Sequence, residues 1–202
     1  MEILIASKNK GKIEEIKKIL SDLEIKFLSL DDYSSLPTII ENGHTFEENA
    51  IKKARIISKL TGKVTLSEDS GLEVDYLDGA PGVKSARFGG DGLADTDRNQ
   101  KLLDLLKEVP LSKRSARFKC VVAVAIPNGE VNTVSGKCEG KISLVAKGNQ
   151  GFGYDPIFIP DGYDETFGEL GIEIKNKISH RCEAFLKAKK ILLEINQKVK
   201  QK

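Results

Sequence analysis

The chain has 202 residues, enough for one large domain with a substantial buried core. Its 32 basic and 30 acidic side chains nearly cancel, which leaves a formal net charge of +2. This balance excludes a global field that would hold nucleic acid or a membrane surface, so any bound anion needs a local site.

The first element is predicted to be a short strand over residues 3–6, followed by the polar turn SKNKGK and an amphipathic helix. Such a turn directs backbone N–H groups and the positive end of a helix dipole at one point, and phosphates are favoured there. The Walker pattern is absent. Taken alone, a turn of this composition serves as a helix cap more often than as a phosphate site, and this reading stays open.

A second strand is predicted over residues 25–30, and a polar loop follows it. Thr45 is predicted to open a helix, because Thr45 and Glu48 have the spacing of a capping box. Asn49 and Lys53 lie one turn apart on this helix. Both side chains can therefore point to a common place.

The most informative stretch runs from residue 65 to residue 90, where an apolar run meets Glu68, Asp69 and Ser70. We expect the strand to end there, because Gly71 allows an immediate turn. Adjacent carboxylates repel one another, and a hard divalent cation such as Mg²⁺ takes oxygen ligands. The alternative is a polar turn that caps the following segment.

A helix is predicted over residues 96–106 and a long strand over residues 115–126, apolar on both faces as in a central strand. Residues 127–130 read as a hairpin turn into a strand over residues 131–136. Strands joined both by helices and by a hairpin indicate a mixed sheet in an α/β protein.

Residues 147–160 place Phe152 and Asp155 among glycines, as in a ligand-facing loop, although Phe152 could instead fill the core. Ser179 is predicted to cap the last helix, with His180 and Arg181 in its first turn. Basic groups are disfavoured at that end of a helix dipole, and an electron-rich ligand would offset the cost.

Cys120, Cys138 and Cys182 are widely spaced and form no CxxC pair, which argues against a disulfide framework and a zinc site. The start of the chain shows no targeting signal, and the longest apolar run, residues 120–126, is too short to span a bilayer. We therefore expect a protein of the reducing cytoplasm.

Five separated pieces together resemble one family, the inosine triphosphate pyrophosphatases, and the resemblance runs from Met1 to about the final helix. They are SKNKGK, ENGHTFEENAIKKA, LSEDSGLEVDYLDGAPGVKSARF, GFGYDPIF and KNKISHR. The resemblance implies an α/β fold of the Maf/inosine-triphosphatase type. That fold is an elongated mixed β-sheet with flanking helices and two lobes around a nucleotide cleft, here a single domain over residues 1–202.

The resemblance also implies an activity. A member of this family is a house-cleaning hydrolase of nucleotide metabolism. With Mg²⁺ as its cofactor it hydrolyses ITP, dITP and XTP, which are non-standard purine nucleoside triphosphates, to the monophosphate and pyrophosphate. Its partner is the small-molecule substrate, with no nucleic acid and no membrane, and the protein is a homodimer in the cytoplasm.

The resemblance further implies roles for individual residues. Asp69, Lys53 and Glu68 would be catalytic, with Asp69 accepting the proton of the attacking water. Glu41 and Asp69 would bind the metal. The residues that would contact substrate are Ser7, Lys8, Asn9, Lys10, Gly11, Lys12, Ser70, Phe152, Gly153, Tyr154, Asp155, Lys175, His180 and Arg181. The first six and Lys53 would hold the triphosphate, and the last seven would surround the base.

Two other readings of the residues remain. One is a Maf-like pyrophosphatase for modified pyrimidine or standard nucleotides, which needs a different base pocket. The other is a non-catalytic nucleotide or nucleic-acid binding module. The lack of a basic stripe disfavours nucleic acid, and Glu41, Glu68 and Asp69 are a poor choice for holding phosphates without a metal.

Overall fold

The computed structural model describes residues 1–33 and 36–200, with side chains through residue 198. In these residues six strands and five α-helices occur. The strands are β1 (Glu2–Ile5), β2 (Lys26–Ser29), β3 (Val64–Val74), β4 (Ser115–Ala125), β5 (Val131–Ile142) and β6 (Phe158–Pro160). The helices are α1 (Lys10–Ile19), α2 (Phe46–Thr61), α3 (Asp95–Leu105), α4 (Phe167–Ile178) and α5 (His180–Lys200).

The six strands form one mixed sheet in the order β2-β1-β3-β4-β5-β6. β1 is parallel to both β2 and β3, whereas β5 and β6 are antiparallel. The predicted α/β class with a mixed sheet is therefore confirmed. The turn predicted at residues 127–130 is also confirmed, since the N–H of Ile126 donates to the carbonyl of Glu130 over 3.0 Å.

The chain divides into two compact units. Unit 1 comprises Met1–Asp69, Cys120–Gly136 and Arg181–Lys202, and unit 2 comprises Ser70–Lys119 and Lys137–His180. The long strands β3, β4 and β5 each contribute residues to both units.

Unit 1 has apolar layers on both faces of its strands. Ile3 and Ile5 of β1 pack with residues of α1 and α5, whereas Leu4 packs with Ile57 of α2. This alternation follows from strand geometry, since successive side chains point to opposite faces. α2 begins as predicted, because the side chain of Thr45 accepts the N–H of Glu48 at 3.1 Å.

Unit 2 is built around three aromatic rings. The ring centroids of Phe118 and Phe158 are 4.7 Å apart, and those of Phe158 and Phe167 are 5.5 Å apart. Leu102 and Leu106 from α3 and its end complete this core. The core therefore fixes β4, β6, α3 and α4 together.

Two predicted strand ends were wrong, and one helix was missed. β3 does not end at residues 68–70 but continues to Val74, with Gly71 inside the strand. β5 runs to Ile142 instead of residue 136. α4 was not predicted at all, because Gly171, with φ of 78° and ψ of 172°, interrupts the helical pattern of its sequence.

No helix among the residues with a described structure has both the length and the apolar character needed to cross a membrane.

Candidate active site

The centre of unit 1 lies where β1 ends beside β3. This parallel ladder pairs Ile5 with Leu66, and the N–H of Ala6 still donates to the carbonyl of Leu66 over 2.7 Å. Glu68 and Asp69 come next in β3, past the carboxyl end of β1. Ligands of α/β proteins bind at such carboxyl ends.

Glu68 and Asp69 do not lie side by side as predicted. Both are inside β3, so their side chains project to opposite faces of the strand. The expectation that the two carboxylates form one acidic pair at a strand end was wrong. Each carboxylate has its own set of partners.

Glu68 is held by two cations and a thiol. Its Oε1 lies 2.7 Å from Lys12 Nζ and 3.6 Å from Arg181 Nη2, and Cys120 Sγ–H donates to Oε2 over 3.3 Å. Burial alone would raise the pKa of Glu68, but the charges of Lys12 and Arg181 outweigh that effect and lower it. Glu68 is therefore a buried carboxylate that stays ionised without a metal.

Arg181 continues this network. Its Nη1 donates to Glu15 Oε2 over 2.6 Å, and both side chains are buried. Burial alone would lower the pKa of Arg181, but Glu68 and Glu15 raise it. We call Glu68, Lys12, Arg181, Glu15 and Cys120 the Glu68 cluster. The predicted part of Arg181 in surrounding the base receives no support from these contacts.

The pKa of Asp69 shifts in the opposite direction to that of Glu68. Burial raises the pKa of its carboxyl, a hydrogen bond from Asn49 Nδ2 at 2.9 Å acts to lower it, and the charge of Glu41 raises it further. The net direction is upward. A carboxylate with a raised pKa is suited to accept a proton.

Glu41 and Lys53 complete this group. Lys53 Nζ donates to Glu41 Oε1 over 2.7 Å, and Asn49 Oδ1 accepts the N–H of Gly43 at 2.7 Å. The segment before α2 is thus tied to the helix that contacts Asp69. We call Asp69, Asn49, Glu41 and Lys53 the Asp69 cluster.

The carboxylates of the Asp69 cluster fit a magnesium ion but not a protein-only metal cage. Within the described residues, no group of three or more His, Cys, Asp or Glu side chains converges as metal ligands. Mg²⁺ is commonly held by one or two carboxylates together with substrate phosphates and water. Burial is the main cause of the raised pKa of Asp69 and the Glu41 charge adds to it, and a bound cation would offset both effects.

The turn between β1 and α1 has the predicted helix cap. Asn9 Oδ1 accepts the N–H of Lys12 at 3.0 Å, and Ser7 Oγ accepts the N–H of Asn9 at 3.2 Å. The first turn of α1 carries no acidic residue. Lys8 and Lys10 are exposed, whereas Lys12 reaches Glu68.

Unit 2 brings together three of the residues predicted to surround the base. Lys175 Nζ lies 2.6 Å from Asp155 Oδ2 and 4.4 Å from the centroid of the Phe152 ring. The same carboxylate oxygen accepts the N–H of Phe152 at 2.8 Å. A buried cation is thus fixed over an aromatic face, which is a favourable cation–π geometry.

The other unit 2 residues have defined places as well. Tyr154 O–H donates to the carbonyl of Ser85 over 2.8 Å, and burial raises the pKa of this phenol. The rings of His180 and Phe118 stack with centroids 4.7 Å apart and an interplanar angle of 11°. Ser70 follows Asp69 in β3 and belongs to unit 2.

Sequence reasoning missed several residues of these clusters. Glu15 and Cys120 were not singled out, although Glu15 is a buried acid on the apolar side of α1. Phe118 was not linked to His180. Asn49 was noted for its spacing from Lys53 but not assigned to the site, and that spacing was the usable signal.

Fold and site together define an α/β protein in which buried carboxylates meet basic groups at the carboxyl end of a parallel strand. A sequence profile described as Ham1 family matches residues 3–191. The chain belongs to the Ham1 family.

Two relatives bear the name dITP/XTP pyrophosphatase. The protein of Desulforamulus reducens is 48% identical over 201 residues, which cover 98% of this chain and 100% of that protein. The protein of Bacillus subtilis is 46% identical over 191 residues, covering 95% and 96% of the two chains.

Solved structures of the family are similar to this fold. The HAM1 protein of Coxiella burnetii has a TM-score of 0.87 at 43% identity, covering 96% of this chain and 99% of that chain. The Ham1 protein of Staphylococcus aureus has a TM-score of 0.86 at 38% identity with the same coverage.

Proposed function

We propose that this chain is a Mg²⁺-dependent nucleoside triphosphate pyrophosphatase that hydrolyses ITP, dITP and XTP to the monophosphate and pyrophosphate. The names of relatives that match nearly the whole chain support this substrate class. The observation that carries the reaction type is Asp69, a buried carboxylate with a raised pKa beside a second carboxylate and Lys53.

Unit 1 is proposed to act on the triphosphate. The β1–α1 turn (Ser7, Lys8, Asn9, Lys10, Gly11 and Lys12) and Lys53 contact the phosphates. Ser70, the first residue of unit 2, contacts the substrate. Lys12 and Lys53 offset the charge that develops on the departing pyrophosphate. Glu68 holds Lys12 in place and Arg181 contacts Glu68, so the proposed role of these two residues in the reaction is indirect.

Asp69 is proposed to be the general base. It accepts a proton from water as the water oxygen bonds to the α-phosphorus, and the bond from that phosphorus to the oxygen bridging to the β-phosphate breaks. The hydrogen bond from Asn49 orients the carboxylate. Positioned bases contribute about 10²–10⁴-fold to such rates.

Glu41 and Asp69 are the proposed holders of the metal. When bound, Mg²⁺ supplies Lewis-acid stabilisation of charge on the phosphate oxygens.

Unit 2 is proposed to recognise the base. Phe152 stacks on the purine, and Gly153, Tyr154, Asp155, Lys175 and His180 shape its surroundings. A 6-oxo purine offers an acceptor where adenine offers a donor, so a donor from His180 or a loop amide is left unpaired against adenine. An unpaired buried group costs about 1–3 kcal/mol, which favours ITP and XTP over ATP.

We further propose that residues 1–202 act as one domain, as a homodimer in the cytoplasm, without a nucleic-acid or membrane partner. Three buried free cysteines and a net charge of +2 support this setting. Light scattering across a concentration series tests the dimer, and a mass of one chain throughout would contradict it.

The activity is tested by pyrophosphate release from ITP, XTP, GTP, ATP and dTTP, with Mg²⁺ or with EDTA. We expect rapid release from ITP and XTP, which EDTA and the Asp69→Asn substitution abolish. Equal rates on all five substrates contradict base recognition in unit 2. Binding of ITP without any turnover points instead to a binding module.

A further inference from the structure

One loop of unit 2 is hydrogen-bonded to side chains of α3 through a single glycine. We call residues 151–155 the GFGYD loop. Gly153 N–H donates to Asp95 Oδ2 over 2.7 Å, and its carbonyl accepts Asn99 Nδ2 at 3.0 Å. Asp95 and Asn99 lie one turn apart on α3, so one face of this helix engages both backbone polar groups of Gly153.

The two α3 side chains are themselves fixed. Asn99 is only 4% exposed. Asp95 Oδ1 accepts Arg98 Nη1 at 2.5 Å, and Arg98 Nη2 donates to the carbonyl of Leu93 over 2.7 Å. Their positions are therefore set by the fold before any ligand binds.

Gly153 is a residue whose backbone is flexible unless tertiary hydrogen bonds fix it. Its φ of 62° is in the left-handed region, and the neighbouring residues Phe152 and Tyr154 move with any rotation of its backbone. A glycine left without tertiary hydrogen bonds has more backbone freedom than any other residue. Fixing both its N–H and its carbonyl orients the Phe152 ring and the Asp155 carboxylate together.

We propose that Asp95 and Asn99 are positioning residues for base recognition, which keep the GFGYD loop in its ligand-ready conformation. This rests on the proposed function, since it assigns the loop to the purine. Binding that needs no loop ordering is tighter, because the ordering cost is already met in the folded protein. The two residues act through Gly153 in unit 2, whereas the proposed metal holders and the β1–α1 turn belong to unit 1.

The test compares Asn99→Ala and Asp95→Ala with wild type in pyrophosphate release from ITP and ATP. We expect KM for ITP to rise about tenfold for each variant, as for the loss of one hydrogen bond with an ordering role. We expect kcat to stay within about twofold, and the preference for ITP over ATP to shrink. Asp95→Asn keeps an acceptor for Gly153 N–H and is expected to recover most of the KM.

Gln100→Ala is the matched control, because Gln100 is the next residue of α3, is exposed and donates its side-chain hydrogen bond to Asp104, not to Gly153. An unchanged KM in both alanine variants, or a fall in kcat at constant KM, overturns the proposal. Thermal melting of each variant identifies simple unfolding. If wild type releases no pyrophosphate, the proposed function fails, and calorimetric titration with IMP then tests the loop directly: equal affinities overturn the positioning role.

Discussion

Glu68 and Asp69 are consecutive residues of β3, yet their carboxylates occupy opposite electrostatic surroundings. Glu68 faces Lys12 and Arg181, which lower its pKa against the effect of burial. Asp69 faces Asn49 and the Glu41 charge, and burial raises its pKa. One strand thus supplies one carboxylate with a lowered pKa and one with a raised pKa, the proposed proton acceptor, because alternation sends the two side chains to different faces.

Asp69→Asn is expected to abolish turnover and to stabilise the metal-free protein. The carboxylate is charged in the unfolded chain above pH ~3.9 but is disfavoured when buried. The pKa of Asp69 is higher in the folded protein than in the unfolded chain. Burying this carboxyl therefore costs no charge desolvation below the unfolded pKa, and wild type loses stability as the pH rises through the folded pKa. The gain in melting temperature for Asp69→Asn should therefore grow from pH 4 to pH 8.

The melting temperatures of wild type and Asp69→Asn are measured in EDTA across this pH range. Asp97→Asn is the control, because Asp97 is an exposed aspartate of α3. A melting temperature that falls for Asp69→Asn at every pH would contradict the assigned burial penalty.

Glu68→Gln is expected to destabilise the fold strongly. The substitution leaves the buried Arg181 and the partly buried Lys12 with less negative charge. Breaking a buried pair costs about 3–5 kcal/mol. Because the folded pKa is lowered, the contribution of Glu68 is present above pH ~4.3 and disappears as pH falls through the folded value. Urea unfolding at pH 7 and at pH ~2.5, well below the unfolded pKa, should show the larger loss at pH 7.

Glu183→Gln is the matched control for Glu68. Glu183 pairs with Lys187 at 2.7 Å on the surface of α5, with side chains 44% and 48% exposed. Such exposed pairs contribute about 0.3–0.5 kcal/mol. Similar losses for the two glutamates would refute the buried network as a source of stability.

Lys175 and Asp155 should behave as one unit in a double-mutant cycle. Both side chains are 2% exposed at an N–O separation of 2.6 Å. We expect Lys175→Met and Asp155→Asn each to cost about 3–5 kcal/mol, and the double variant to cost less than their sum. The coupling energy is measured by urea unfolding of the four proteins.

The surface pair of Lys26 and Glu2, 3.0 Å apart, provides a comparison cycle in which we expect little coupling. Additive losses at Lys175 and Asp155 would show that the pair is not energetically coupled.

Gly151→Ala is expected to disturb the GFGYD loop beyond the cost of its backbone conformation. Gly151 has a φ of 78°, and an added Cβ would overlap Asp155 Oδ2, the atom that holds Lys175. Left-handed backbone costs a residue other than glycine about 1–2 kcal/mol. We expect this loss together with a raised KM for ITP.

Gly162→Ala separates the two effects, because Gly162 has a φ of 85° and nothing lies within 4 Å of an added Cβ. The Gly162→Ala protein should lose only the stability that a left-handed backbone conformation costs, and its KM for ITP should equal that of wild type. Equal KM values for the two variants would argue against a role of Asp155 orientation in binding.

Local signals in the sequence were sufficient for much of the fold. The Thr45 cap of α2, the hairpin at residues 127–130 and the strand over most of β4 follow from side-chain patterns within a few residues. The motif set also sufficed to place the chain in its family before any contact was known. The sequence did not predict α4, because Gly171 interrupts its helical pattern. Packing against other parts of unit 2 maintains the helix.

Only the tertiary structure determines the different surroundings of Glu68 and Asp69. The sequence shows Glu68 and Asp69 as one acidic pair, and their separation depends on β3 continuing past residue 70. It gives no indication that Arg181 reaches Glu15 and Glu68, or that α3 holds Gly153. Local patterns report on neighbours along the chain, whereas the pKa of a buried carboxylate depends on charges that only folding brings within a few ångströms.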